Sequence, residues 1–183
     1  MVDIGNLVRK RRHIHHYSPE PISNEKIRTL LEAARWAPSA GNLQPWEIII
    51  INSDEDRDTL VGALRKKEFM RSAPLILVFC ADLNRSSERY GDRGSSLYAI
   101  QDTAAAIQNV LLTATALGLG SGWVGDFDEE AIAGLFKLPP NVRPMALIMV
   151  GKSRENPTPP SRREIDDFTH VGEFGNRLRS DLT

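Results

Sequence analysis

Residues 37–46 read APSAGNLQPW and join a stretch of helical periodicity to a run of isoleucines. Pro38 and Pro45 fix the backbone φ angle, and Asn42 and Gln44 each carry an amide that can donate and accept hydrogen bonds. A stiff loop that bears such amides can hold the polar edge of a planar heterocycle. The alternative interpretation is an ordinary helix-to-strand turn in which Pro38 only ends the helix.

The segments on either side of this loop predict a helix followed by a strand. Residues 23–36 carry apolar side chains at positions 27, 30, 31 and 34, which is the spacing of a helix face. Ser23 is a favourable residue for the N-cap of that helix. Residues 47–51 form a short isoleucine block, which is typical of a strand buried on both faces.

Apolar periodicity predicts the remaining elements as well. Further helices are predicted for residues 4–12, 54–67, 97–117 and 128–136, and further strands for residues 75–81, 121–124 and 144–150. Residues 82–96 are polar and show no periodicity, which predicts a mobile surface loop. Cys80 lies within a predicted strand and is interpreted as a buried structural thiol. Strands that alternate with helices indicate a layered domain of α and β structure.

Composition narrows the possible classes of protein. The chain has 183 residues, of which 41% are hydrophobic, enough for one domain with a sizeable core. A net charge of −1 argues against a general nucleic-acid surface, and a single cysteine fits a reducing compartment. We find no signal-peptide core and no apolar run of membrane-spanning length, so we expect a cytoplasmic protein that does not bind membranes.

Two further groups of basic residues would suit a phosphate. One is a cluster of cations and hydrogen-bond donors near the N-terminus, at Arg11, Arg12, His13 and His15. The other, Arg162 and Arg163, follows a proline-rich linker at residues 156–160. A metal site built on the neighbouring histidines is the alternative, but no carboxylate or cysteine lies at a ligand spacing from them.

Four motifs together resemble the FMN-dependent nitroreductase family. Residues 11–22, RRHIHHYSPEPI, resemble its N-terminal RRSxRxF signature, and residues 37–46 closely resemble its APSxxNxQPW signature. Residues 117–127, LGLGSGWVGDF, resemble its GLGxxWxGxF segment, and residues 150–170, VGKSRENPTPPSRREIDDFTH, resemble its closing segment. The motifs occur in the family's order and cover most of the chain.

The resemblance implies an α+β fold around a mostly antiparallel central sheet flanked by helices. It also implies a homodimer whose subunits exchange their C-terminal segments, with FMN at the dimer interface. Residues 1–160 would form the FMN-binding domain. Residues 161–183 are charged and poor in core residues, so we expect this tail to pack on the partner subunit.

The resemblance also implies a set of cofactor-binding residues. They are Arg11, Arg12, His13, His15, Pro38, Ser39, Asn42, Gln44, Val124, Gly125, Asp126, Arg162 and Arg163. The basic residues at positions 11–13 would meet the phosphate and ribityl end of FMN. Arg162 would also contact the phosphate, and Arg163 is the alternative ligand at this position.

The other matched residues would surround the flavin ring. His15 would lie near the pyrimidine edge, and the backbone N–H groups of Gly125 and Asp126 would face flavin N5. Ser39 and Asn42 would reach the FMN from the second subunit. The family usually has serine where His13 stands and arginine or lysine where His15 stands, so the phosphate geometry and the redox tuning of the flavin should differ here.

The implied activity is hydride transfer from NADH or NADPH to FMN and then, in a ping-pong sequence, to a small acceptor such as a nitroaromatic or quinone. No protein nucleophile and no metal ion are expected, since the flavin carries the chemistry. One rival is a different reductive activity on the same scaffold, such as dehalogenation, which should show as an added lid over the flavin. The other rival is a non-enzymatic flavin or nucleotide binder, whose FMN a nicotinamide would fail to reduce.

Overall fold

The computed structural model describes residues 3–178 and contains a four-stranded antiparallel sheet with helices on both faces. The strands are β1 (Trp46–Ile51), β2 (Leu75–Asp82), β3 (Gly120–Val124) and β4 (Val142–Gly151). Their order across the sheet is β1-β2-β4-β3, so β1 and β3 form the two edges. The predicted α+β class with a mostly antiparallel sheet is confirmed.

Six α-helices accompany the sheet in the described residues. They are α1 (Ile4–Lys10), α2 (Asn24–Arg35), α3 (Asp54–Gly62), α4 (Leu83–Arg93), α5 (Ala99–Ala116) and α6 (Glu129–Leu135). The Ser23 side chain accepts a hydrogen bond from the Lys26 N–H, which confirms the predicted N-cap of α2. Within residues 3–178 no helix is both long and apolar enough to cross a membrane.

The hydrophobic core lies on both faces of the sheet because successive side chains of a strand point in opposite directions. Leu77 and Phe79 of β2 pack against α2 and α5 on one face. Val78 and Cys80 belong to the core on the other face, together with apolar residues of α3 and α6. Burial raises the pKa of the Cys80 thiol to about 12, so the thiol is a structural group, as predicted.

The prediction that residues 47–51 are buried on both faces is wrong. The segment does form strand β1, but among residues 3–178 β1 lies at an edge of the sheet and pairs only with β2. Only Ile51 is buried in this strand, and Ile50 is 39% exposed. A row of isoleucines therefore marks the strand correctly but does not reveal its place in the sheet.

The prediction of a mobile loop at residues 82–96 is also wrong. This stretch forms α4 and a π-helical turn, Gly94–Tyr98. Asp82 caps α4 by accepting hydrogen bonds from the N–H groups of Asn84 and Arg85. The ring centroids of Tyr90 and Tyr98 lie 5.2 Å apart. These capping and tertiary contacts, not an apolar stripe, stabilise the helix, so periodicity does not detect it.

Other predicted boundaries are approximately correct. The helix predicted for residues 54–67 ends at Gly62, and the one predicted for residues 97–117 begins at Ala99 after the π-helical turn. In the tail, residues 161–178 include none that is buried, and residues 179–183 lie outside the described part of the chain. The division into residues 1–160 and 161–183 stays a prediction.

Candidate functional site

The histidine segment, residues 13–16, follows α1 and lies along the free edge of β3. The Ile14 N–H donates to the Ser121 carbonyl at 3.0 Å, and the Trp123 N–H donates to His13 Nδ1 at 3.3 Å. A Cβ atom at Gly122 would lie 2.7 Å from the Ile14 carbonyl oxygen, so only glycine permits this approach. Gly122 in β3 therefore lets the N-terminal motif lie directly against the 117–127 motif.

Imidazole and phenyl rings form a cluster beside this edge. The rings of His13 and His15 meet edge to face with centroids 4.6 Å apart, and His15 meets Phe69 in the same way at 4.7 Å. Phe69 lies in a 3₁₀ turn, Glu68–Ser72, that precedes β2. Burial, His15 and Arg11 lower the pKa of His13, and Glu155 opposes them. His13 is therefore a neutral hydrogen-bond acceptor at neutral pH.

An ion pair links the turn after β3 to the segment after α3. Lys67 Nζ lies 3.0 Å from a carboxylate oxygen of Asp126, and the Lys67 side chain is only 16% exposed. The two segments line a cleft of about 610 Å³, whose walls include Arg65, Lys66 and Phe127. Val124 is buried at the end of β3, whereas Gly125 and Asp126 are exposed. The turn thus presents backbone and a carboxylate to a basic cleft.

The predicted phosphate ligands differ in what they contact. Arg11 is half-buried, and burial, then Arg162, then Arg12 lower its pKa, so its guanidinium lies close to two other cations. Arg12 instead donates to the backbone carbonyls of Pro157 and Arg11, at 3.1 and 3.0 Å. Arg163 donates to the Asp167 carbonyl within the tail. Within residues 3–178 no carboxylate lies within ion-pair distance of Arg11 or Arg162.

The loop at residues 37–46, called the amide loop below, has an unusual backbone. Gly41, Asn42 and Gln44 all have positive φ angles, of 57°, 58° and 50°. Non-glycine residues adopt this conformation rarely and at a cost in free energy, and such strain clusters at ligand-binding sites. The side chains of Ser39 and Asn42 both bond to Gln44, accepting from its backbone N–H and its amide group respectively. Pro38 is exposed beside them.

Two neighbouring helices hold this strained loop in place. Both carboxylate oxygens of Asp102, on α5, lie 3.1 Å from the Ala40 nitrogen. From α4, Arg89 donates to the Gly41 carbonyl at 3.3 Å and Arg85 donates to the Gln44 carbonyl. Three side chains from distant parts of the sequence thus fix the loop conformation, as a preformed binding loop requires.

The structure brings the N-terminal motif and the 117–127 motif together within one chain, and Arg162 is near enough to Arg11 to lower its pKa. The amide loop instead leads into β1, at the opposite edge of the sheet from β3. The two edges are three strand spacings apart, about 14 Å. Sequence reasoning missed Phe69, Lys67 and Asp102, which carried no motif signal.

Comparison with known proteins identifies relatives that match most of the chain. A model described as the nitroreductase family matches residues 8–67 and 58–152. The chain is 30% identical to the oxygen-insensitive NADPH nitroreductase of Salmonella typhimurium over 170 residues, which is 89% of this chain and 71% of that protein. It is 28% identical to an NADH dehydrogenase of Thermus thermophilus, covering 91% of this chain and 94% of that one.

Solved structures give the same result for the fold. The crystal structure of a nitroreductase family protein from Clostridium difficile superposes with a TM-score of 0.82 at 29% identity. That superposition covers 94% of this chain and 99% of the other. The likeness therefore extends over the whole sheet and its helices.

Proposed function

The chain belongs to the nitroreductase family, and we propose that it is an FMN-dependent oxidoreductase that takes hydride from NADH or NADPH. The acceptor would be a small molecule such as a nitroaromatic or quinone. The observation that carries the proposal is the placement of the His13 and His15 imidazoles at the edge of β3, where the exposed turn at Gly125 follows and where Arg11 has no carboxylate partner among residues 3–178. A phosphate with a polar-edged ring at its far end would use all three.

Arg11 and Arg162 are the phosphate ligands in this proposal. Both are close in space and neither has a carboxylate partner among the described residues, so a phosphate would relieve their mutual repulsion. Bonds between a guanidinium and phosphate oxygens are charge-assisted and often bidentate. Arg12 and His13 complete this end; the contacts of Arg12 with carbonyls also hold the segment in position.

His15, Gly125 and Asp126 would face the flavin ring, with Val124 behind them. When bound, FMN supplies the hydride chemistry, and the chain supplies binding, orientation and electrostatics. Lys67 adds a cation next to Asp126 and joins the candidate residues on the strength of that ion pair. Phe69 supports the imidazole of His15 from the side.

The amide loop requires a second subunit in this proposal. Pro38, Ser39, Asn42 and Gln44 lie at the far edge of the sheet from His13, so they would serve the site of a partner in a homodimer. The tail supports an exchange of segments, because Phe168 is 54% exposed and Phe174 is 91% exposed. Exposed apolar side chains that form a patch on one segment can mark a surface that a partner covers. We further propose that the protein is cytoplasmic.

A binding titration tests the cofactor assignment. FMN, riboflavin and FAD are titrated into the apoprotein, with quenching of flavin fluorescence as the readout. We expect one FMN per chain and riboflavin binding at least about tenfold weaker, because the phosphate contacts would be lost. Equal affinity for FMN and riboflavin would contradict the phosphate site, and no binding of either would contradict the proposed function.

A further inference from the structure

The segment at residues 14–18 has no regular structure, yet every backbone N–H group in it has an acceptor. The acceptors are the Ser121 carbonyl for Ile14 (3.0 Å), the Glu155 carboxylate for His15 (2.5 Å) and His16 (3.2 Å), Ser72 Oγ for Tyr17 (3.3 Å) and the Lys152 carbonyl for Ser18 (2.8 Å). Such complete pairing defines one backbone conformation without a helix or a ladder.

Glu155 supplies two of these five bonds through a single oxygen atom, Oε1. Its own backbone is fixed, because its N–H donates to Ser153 Oγ and its carbonyl accepts from the same hydroxyl group. The neighbouring Arg154 N–H donates to the His16 carbonyl at 2.9 Å. The stretch after β4 therefore runs beside the histidine segment, to which it donates one hydrogen bond from Arg154 and from which it accepts two at Glu155.

The carboxylate is ionised at neutral pH. The hydrogen bond from the His15 N–H lowers the pKa of Glu155 most, and the His16 N–H lowers it further. Hydrogen bonds from N–H groups to an ionised acceptor are stronger than those to a neutral one. Glu155 also opposes the lowering of the His13 pKa by burial, His15 and Arg11. Its charge therefore acts on the His13 imidazole as well as on the backbone of His15 and His16.

We infer that Glu155 is the positioning residue of the histidine segment: it fixes the backbone at His15 and His16 and so holds the His15 imidazole against Phe69. In that place the imidazole can meet bound FMN, so the inference rests on the proposed function. In this inference Glu155 acts through the backbone of His15 and His16. The bonds to Glu155 define where the Cβ of His15 points, and the 4.7 Å contact with Phe69 defines where the ring lies.

The test compares Glu155→Ala and Glu155→Gln with the parent, and Glu130→Ala serves as a control that removes an exposed carboxylate from α6. Glutamine retains an acceptor oxygen without the charge, whereas alanine removes the acceptor. We expect the alanine variant to bind FMN about tenfold more weakly, and the glutamine variant and the control to stay within about twofold of the parent. The alanine variant should also have faster amide hydrogen exchange at His15 and His16.

Two of the readouts need no cofactor, so this inference and the proposed function can fail separately. Amide exchange and an NMR titration of His13 are measured on the apoproteins. Glu155→Gln should lower the pKa of His13 further, because the carboxylate that raises it is gone. Unchanged exchange at His15 and His16 in Glu155→Ala would overturn the inference, whether or not the parent binds FMN. A parent that binds no FMN would contradict the proposed function alone.

Discussion

The guanidinium of Arg12 donates to the backbone carbonyl of Pro157 at 3.1 Å, so the basic N-terminal segment is fastened to the linker that leads into the tail. This bond separates the roles of two adjacent arginines. Arg12 is engaged with carbonyl groups, whereas Arg11 lies near Arg162 without a carboxylate partner among residues 3–178. We therefore expect the phosphate of FMN to depend most on Arg11 and Arg162.

Replacing Arg11 or Arg162 by alanine should weaken FMN binding by about ten- to a hundredfold, because each removes a charge-assisted contact. Riboflavin affinity should change little, since riboflavin has no phosphate. Arg28→Ala is the matched control, because Arg28 is exposed on α2 and is not among the proposed ligands of FMN. Fluorescence titration of the three variants decides the matter, and FMN affinities equal to the parent's in both test variants would refute the phosphate assignment.

Asp102 gives a prediction about stability and pH. Burial raises the pKa of this carboxyl group, and the Ala40 N–H only partly offsets that effect. A raised carboxyl pKa means that ionisation opposes folding, so its contribution is favourable at low pH and is lost as the pH rises through the folded-state pKa. Asp102→Asn keeps an acceptor oxygen without the charge. We expect the variant to gain stability relative to the parent as the pH rises.

Urea unfolding of the parent and Asp102→Asn, repeated at several pH values, measures this difference. The gap in unfolding midpoint should widen as the pH rises and should be smallest where the parent carboxyl is protonated. A gap that stays constant across the range would mean that Asp102 does not titrate in the folded protein.

The sequence predicted most of the fold because its signals are local. Four strands and most helices follow from apolar periodicity, and the N-cap at Ser23 follows from residue type. Helix α4 was missed because a cap at Asp82 and contacts with the amide loop stabilise it. The edge position of β1 was missed because strand order depends on pairing between distant segments.

The candidate site was predicted where it is carried by motifs and missed where it depends on distant contacts. Asp102 bonds to Ala40 across 62 residues, and Glu155 bonds to His15 across 140 residues. Neither carboxylate lies in a recognisable pattern with its partner. Lys67 was likewise missed, because its ion pair with Asp126 joins two turns 59 residues apart.

The tail provides a test of subunit exchange. Ending the chain after Glu164 keeps Arg162 and Arg163 but removes the exposed apolar residues Phe168 and Phe174. If these residues pack on a partner, the dimer of the shortened protein should dissociate into subunits at a higher protein concentration than the parent dimer does. FMN should be released when the subunits separate. Analytical ultracentrifugation with absorbance at the flavin band measures both, and a dimeric, fully loaded shortened protein would exclude the exchange.

The placement of His15 beside the flavin ring gives a prediction about the redox potential of bound FMN. Reduced flavin carries negative charge, which a fixed cation nearby stabilises. An arginine side chain keeps its charge at every working pH, so His15→Arg should raise the potential of bound FMN. Spectroelectrochemical titration of the parent and the variant measures the difference, and equal potentials for the two proteins would rule out the placement of His15 beside the flavin.

Anaerobic mixing of the FMN-loaded protein with NADH or NADPH tests the central claim most directly. The account predicts that at least one donor bleaches the flavin absorbance band stoichiometrically and that a nitroaromatic or quinone added afterwards restores it. The same donor should act on Arg28→Ala, which leaves the proposed phosphate ligands in place. Bound FMN that dithionite reduces but neither nicotinamide reduces would contradict the account and would leave a flavin-binding protein without this activity.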